Sequence, residues 1–239
     1  MKPRISVITC TKNREKLLPE CLKSVEKQSF RNIEHIFVDG MSTDETISII
    51  EAYKERNADI SVKIIKREPK GIADAFNVGV EAASGEIIHI LNSDDYLYDN
   101  EVYKYLDEVF TKDVRWLMGN KVNNIRGKIT VKRIKESSLR LIMSMFNWPS
   151  HPNTFVRRSV MKEYGKFNEN LSLVMDYEYW LRMLKKEDPV IVDRNFAVFR
   201  MHSESASIGK ISGYIDLISE VQKAKSIVKE LYKDNEKEV

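Results

Sequence analysis

Asn92-Ser93-Asp94-Asp95 closes a short apolar run, Glu86-Ile87-Ile88-His89-Ile90-Leu91. Adjacent carboxylates at the end of a buried strand are costly unless a cation neutralises them. A divalent metal carrying a diphosphate has suitable chemistry, because hard cations take carboxylate and phosphate oxygens. In an open parallel sheet, ligands bind beyond the carboxyl ends of the strands, where this pair falls. The same residues also suit a turn, or a cap on a helix starting near Asp99. Asp39 ends an earlier strand in Val38-Asp39-Gly40-Met41-Ser42-Thr43-Asp44-Glu45-Thr46 and would face the same sheet edge. There it could accept a hydrogen bond from a nucleoside, or simply form a turn ahead of a helix. The glycine spacing of a dinucleotide fingerprint and the Walker A sequence are both missing, which argues against nicotinamide and P-loop enzymes.

The elements that must position these carboxylates show as alternating periodicities. Apolar strands are expected at 4–9, 33–38, 62–66 and 87–91. Helices are expected at 18–28, from a capping box at 42–45 to about 56, and at 71–83 with Ile72, Phe76 and Val80 inward. This order implies an α/β fold with a doubly wound, mostly parallel sheet and right-handed crossovers. Beyond Asp99 the pattern loosens. A helix at 102–110, a strand at 114–118 and a hairpin over 122–131 turning at Arg126-Gly127 are expected. They are followed by an apolar segment at 139–148, a strand at 154–157, a helix at 176–186, strands at 190–192 and 196–201, and an amphipathic helix at 214–232. No linker or repeat interrupts the chain, so 1–239 reads as one domain.

Composition narrows the function classes. With 42% hydrophobic and 31% charged residues over 239 positions, the chain supports a sizeable core and is not disordered. A net charge of +3 is too small to imply nucleic-acid binding. The only cysteines, Cys10 and Cys21, have neither zinc-site nor disulfide-framework spacing. The chain enters directly into a strand and holds no apolar run near the ~20 residues of a membrane span. No signal peptide and a reducing, cytoplasmic setting are expected.

Several segments together carry a family resemblance. Ile5-Ser6-Val7-Ile8-Thr9-Cys10-Thr11-Lys12-Asn13-Arg14 resembles the opening strand of family 2 glycosyltransferases, and Val38–Thr46 their second-strand motif. Lys70-Gly71-Ile72-Ala73-Asp74-Ala75-Phe76-Asn77-Val78-Gly79 and the strand ending in Asn92-Ser93-Asp94-Asp95 are similar to the family's next two motifs. His151-Pro152-Asn153-Thr154-Phe155, Met175-Asp176-Tyr177-Glu178-Tyr179-Trp180-Leu181-Arg182 and Phe199-Arg200-Met201-His202 continue the set to about residue 208.

The resemblance implies a GT-A fold, inverting transfer from a nucleotide-sugar donor, and a divalent metal, Mn2+ or Mg2+. It places Thr9, Thr11, Arg14 and Asp39 around the nucleoside, and Gly71 and Asn77 close to ribose and diphosphate. Asp94 would lie near ribose and metal, Asp95 would coordinate the metal, and His202 would touch metal or diphosphate. Asp176 matches the family's catalytic base, with plain capping of its helix as the simpler alternative. Residues 1–98 would then form the nucleotide-sugar-binding half, 99–208 a smaller mixed acceptor-side half, and 209–239 a helix and charged tail. Lys12 and Cys10 stand where the family usually carries an aromatic residue and proline, which leaves the base open; uridine is the family-weighted expectation. A glycan or lipid-linked acceptor is implied. The 139–148 segment suits either peripheral contact with the inner membrane face or core packing. Ile215, Ile218, Val221, Ile227, Val228 and Leu231 suit either a homodimer stripe or packing onto the domain. A non-catalytic nucleotide-sugar-binding module and a nucleotidyltransferase are the competing readings. The second would need a Gly-rich basic loop that Thr9–Arg14 lacks.

Overall fold

Strands buried on both faces alternate with helices that bury one stripe, and together they build a covered parallel sheet. The computed structural model describes residues 2–145, 150–201 and 211–231. The first half runs β1 (Ile5–Thr11), α1 (Leu18–Glu26), β2 (Ile33–Asp39), α2 (Thr46–Arg56), β3 (Ser61–Lys66), α3 (Ile72–Ala82), β4 (Ile87–Ile90) and β5 (Tyr96–Leu97). The second runs α4 (Val102–Val109), β6 (Trp116–Met118), β7 (Lys121–Ile125), β8 (Lys128–Lys132), α5 (Glu136–Met145), β9 (Thr154–Arg157), α6 (Arg158–Tyr164), α7 (Met175–Leu184), β10 (Val190–Ile191), β11 (Ala197–Met201) and α8 (Ile211–Leu231).

The central sheet has seven strands in the order β10-β6-β9-β4-β1-β2-β3, and a second sheet has the order β5-β11-β7-β8. The β1/β2, β1/β4, β2/β3 and β10/β6 pairs are parallel, while β9 runs antiparallel to both β4 and β6. The fold is therefore mixed α/β around a mostly parallel sheet. The reversed β9 matters for function. Its register sets Phe155 opposite His89 and Arg157 opposite Ile87, so residues just before β9 arrive beside the carboxyl end of β4.

Local chemistry explains the turns. Arg126 (φ 51°) and Gly127 (φ 86°) both take left-handed conformations, as a two-residue hairpin turn requires. α3 packs against β1 closely enough that a Cβ on Gly79 would sit 2.3 Å from Ile8 Cγ2. The expected capping box does not form. Ser42 turns back to Asp39, and the Asp44 carboxylate accepts the Thr46 N–H at 3.0 Å instead. Ile72, expected inward, is 37% exposed. α5 buries Leu139 and Met143 and leaves Leu141 exposed, and the rest of the apolar segment lies outside the described residues. α8 packs Ala224 and Val228 into the core alongside α7, leaving Ile218 and Leu231 exposed. Among the described residues no helix is long and apolar enough to cross a membrane.

Two buried imidazoles tie layers together as neutral rings. Thr9 Oγ1 donates to the Leu91 carbonyl at 2.7 Å, so its contact with His35 Nε2 at 2.9 Å must be accepted from an Nε2–H. His89 Nε2 likewise donates to the Pro152 carbonyl at 3.0 Å. Tyr53 and Tyr103 hydroxyls then donate to the two Nδ1 atoms, each at 3.1 Å. Burial pulls His35 down to about 3 and His89 down to about 4. Their stability contribution is complete above about pH 6.5 and is lost as pH falls toward those values, because only the unfolded chain takes up the protons. Each ring should cost about 1.4 kcal/mol per pH unit in that window. The urea midpoint should accordingly drop between pH 6.5 and 5, and a flat midpoint would show that the rings are charged in the fold.

Candidate active site

The carboxyl ends of β1, β2 and β4 open into a cleft of about 580 Å³. The second sheet and the start of α7 supply its other walls, through Asn123, Phe199, Met201 and Asp176. At one side Asp39 ends β2. Its Oδ1 accepts from Thr11 Oγ1 at 2.9 Å and Ser42 Oγ at 2.5 Å, and its Oδ2 accepts the Ser42 N–H at 2.8 Å. The 39–46 turn thus holds the carboxylate in one orientation at the cleft. Gly71 opens α3 there with φ 125° and ψ 168°, a conformation essentially restricted to glycine.

Two buried carboxylates show how differently the two sheet edges are built. Glu34, near the amino end of β2, accepts from Lys63, Ser6, Ser84 and the Gly85 N–H. Burial opposes its charge, but these donors prevail and hold it down to about 2. Asp95, at the opposite edge, is fully buried, and among the described residues it accepts only the Arg200 N–H, on Oδ1 at 2.9 Å, with no hydrogen-bond partner on Oδ2. Burial, with the charge of Asp94, pushes it up to about 6. The first carboxylate is an anchor. The second is a buried carboxylate with a single hydrogen bond among the described residues.

His151 joins this acidic edge to Asp176. The reversed β9 delivers it beside β4, where it is 9% exposed. Its Nδ1 lies 3.3 Å from Asp176 Oδ2, and its Nε2 lies 3.7 Å from Asp95 Oδ2 and 2.9 Å from the Asn92 amide nitrogen. At 3.7 Å the Asp95 contact is an ion pair and not a hydrogen bond. Burial alone would lower the imidazole, yet the two carboxylates outweigh it and raise His151 to about 9. A doubly protonated ring donates from both nitrogens. The Asn92 orientation that matches it presents Oδ1, which is otherwise buried without a partner.

Asp176 is the second residue of α7, whose start carries no side-chain cap, so it is not the capping residue. Its Oδ1 accepts the N–H of Tyr177 at 2.7 Å, while Glu220 of α8 holds the Ser172 and Leu173 N–H groups of the approach, at 2.9 and 2.7 Å. The carboxylate is 7% exposed and lines the cleft.

Thr11, Arg14, Asp39, Gly71, Asp94 and Asp176 are thus brought together around one cleft. Three expected residues are not. Thr9 sits two residues inside β1, fully buried, with its hydroxyl spent on Leu91 and His35. Asn77 is on the far side of α3's first turns, where its amide clamps the Phe167 backbone at 2.8 and 3.0 Å and meets Glu169 at 2.9 Å. Asp95 is fully buried, whereas its neighbour Asp94 lines the cleft. His202 lies outside the described residues. His151, Lys121 and Asn123 line the cleft without a role assigned from sequence, although His151 opens one of the segments that carry the family resemblance.

The acidic edge fits a divalent cation of one kind. Among the described residues no three His, Cys, Asp or Glu side chains converge as a complete cation shell. Asp94 at the cleft, backed by the partner-poor Asp95, suits a hard cation that takes its remaining oxygens from a bound diphosphate.

Comparison with known proteins follows this geometry. The family described as "Glycosyl transferase family 2" matches residues 6–169. Glycosyltransferase GlyG of Streptococcus pneumoniae serotype 4 is 37% identical over 124 residues, 52% of this chain and 40% of that protein. The chain therefore spans less than half the length of that relative. Among solved structures, S. aureus TarS 1–349 in complex with UDP-GlcNAc superposes with a TM-score of 0.69 at 24% identity, covering 92% of this chain and 65% of that one. The mannosyltransferase PcManGT from Pyrobaculum calidifontis, in complex with GDP-Man and Mn2+, gives 0.70 at 18% identity, covering 95% and 65%. Both likenesses are of fold.

Proposed function

We propose, from the premise that the chain belongs to glycosyl transferase family 2, that it is an inverting enzyme that moves a sugar from a nucleoside diphosphate sugar to an acceptor hydroxyl on a glycan or lipid-linked glycan. The observation that carries this reading is that Asp94, His151 and Asp176 line one cleft, with His151 joined to Asp176 and with Asp39 at the nucleoside side. Asp39, held by Thr11 and Ser42, is oriented to accept from a ribose or base donor. Asp94 faces the diphosphate. A divalent cation, Mn2+ or Mg2+, bound there would neutralise the charge that develops on the departing nucleotide. Asp176 accepts the proton of the attacking hydroxyl, and the new glycosidic bond forms on the face opposite the leaving diphosphate. His151 fixes the Asp176 carboxylate in the orientation that leaves one lone pair toward the acceptor.

Uridine diphosphate sugars are the favoured donors. Support comes from the family assignment and from TarS, solved with UDP-GlcNAc; the GDP-Man complex of PcManGT keeps guanosine in contention. Calorimetry with nucleoside diphosphates and their sugars, with and without Mn2+, tests the proposal. One nucleotide class should bind, at least tenfold more tightly with Mn2+. No binding anywhere in the panel would overturn it and favour a module that depends on a partner enzyme.

A further inference from the structure

Residues 121–140 carry seven Lys or Arg and one Glu, whereas the whole chain is only +3, so the remainder is net negative. The fold gathers most of this charge on and just after the β7–β8 hairpin, at the outer end of the second sheet. Arg133 and Arg140 are paired with Asp193 and Asp188. Arg126, Lys128, Lys132 and Lys135 are exposed, and among the described residues none of these four forms an ion pair. At the tip the ladder pairs Ile125 with Lys128 and Asn124 with Ile129, which puts one isoleucine on each face of the ribbon. Both isoleucines are 42% exposed. A single exposed aliphatic residue means little, but two of them flanking a turn with two cations make an amphipathic tip. Lys121 and Lys132, at the other end of the hairpin, line the cleft. Four residues of strand rise set the tip about 14 Å from them.

We propose that the β7–β8 hairpin tip docks on an anionic lipid surface, Ile125 and Ile129 entering the headgroup boundary and Arg126 and Lys128 meeting the lipid phosphates. Charge and composition choose this occupant over two others. As a sheet edge, β8 is open to a second copy of this chain. Paired antiparallel about Thr130, however, Lys128 of one copy would face Lys132 of the other, and facing like charges are destabilising. A nucleic acid would use the same cations, but residues 121–140 contain no aromatic side chain for base stacking. An anionic bilayer uses both parts of the tip, its phosphates taking the cations and its acyl boundary the aliphatic chains. This surface is distinct from the apolar segment at 139–148, which buries Leu139 and Met143. Docked so, the cleft lies close to the surface at which a lipid-linked acceptor is presented. That consequence rests on the proposed transferase reading; the docking itself does not.

The test is co-sedimentation of the full chain with phosphatidylcholine vesicles, with and without phosphatidylglycerol, at about 0.1 M salt. Binding should be at least tenfold tighter to the anionic vesicles, since each Lys or Arg at such a surface is worth about fivefold. Arg126→Glu with Lys128→Glu should remove that preference. Ile125→Ser with Ile129→Ser should weaken anionic binding about tenfold, the scale of two half-exposed aliphatic side chains kept out of an apolar boundary. All four positions are exposed and outside the cleft lining, so both variants should melt as the parent does and keep UDP affinity within twofold. No binding, or equal binding to both kinds of vesicle, would overturn the proposal. So would parental vesicle binding by either double variant, since the tip would then be bystander surface. Duplex RNA that binds more tightly than the anionic vesicles, and is lost in the charge variant, would make the hairpin a nucleic-acid surface instead. Failure to bind UDP would bring down the transferase reading alone, because the vesicle measurement needs no nucleotide.

Discussion

Asp176→Asn should lower kcat by on the order of a hundredfold or more, the usual scale for a lost general base. Donor affinity should stay within a few-fold. The amide oxygen keeps the acceptor for the Tyr177 N–H at 2.7 Å, while the NH2 takes the place of Oδ2 and faces His151 Nδ1 at 3.3 Å, so the imidazole must give up its Nδ1 proton to accept from it. The helix start does not depend on Asp176 as a cap, because Glu220 holds the preceding N–H groups. What Asn cannot do is take a proton from the acceptor hydroxyl. Turnover and donor titration on one preparation separate the possibilities. A variant with wild-type turnover would remove Asp176 from the chemistry. A loss of donor affinity that matched the loss in rate would make it a positioning residue for the donor.

Most of the scaffold was legible because buried strands and one-sided helices leave strong periodic signals. Residues 154–157 were assigned as a strand directly, yet nothing local reveals that β9 inserts backwards between β4 and β6. Strand direction is a property of the whole sheet, and His151 owes its place to it. Thr9 and Asn77 do not line the cleft, for a related reason. A motif places residues along the chain, but whether a side chain reaches the cleft depends on depth within the strand or on the helix face. Thr9 is two residues too deep, and Asn77 faces the Phe167 segment 90 positions away. Lys121 and Lys132 stand eleven positions apart in the chain, and only the hairpin register sets them face to face.

The adjacent carboxylates give the second large effect. Sequence reasoning gave the cation to Asp95, but Asp94 lines the cleft while Asp95 is fully buried, tied to the Arg200 N–H and paired with His151. Asp94→Asn should therefore abolish the tenfold or larger gain in UDP affinity that Mn2+ confers, and leave metal-free UDP binding nearly intact. Asp95→Asn should keep most of that gain. Its amide still accepts from Arg200, but the change takes away one of the two carboxylates that keep His151 charged, so the melting temperature should fall while the Mn2+ gain persists. Paired UDP titrations with and without Mn2+ decide between the two carboxylates. If Asp95→Asn loses the gain and Asp94→Asn keeps it, the Oδ2 of Asp95, which has no hydrogen bond among the described residues, is itself the cation ligand. Asp94 would then be the group facing ribose.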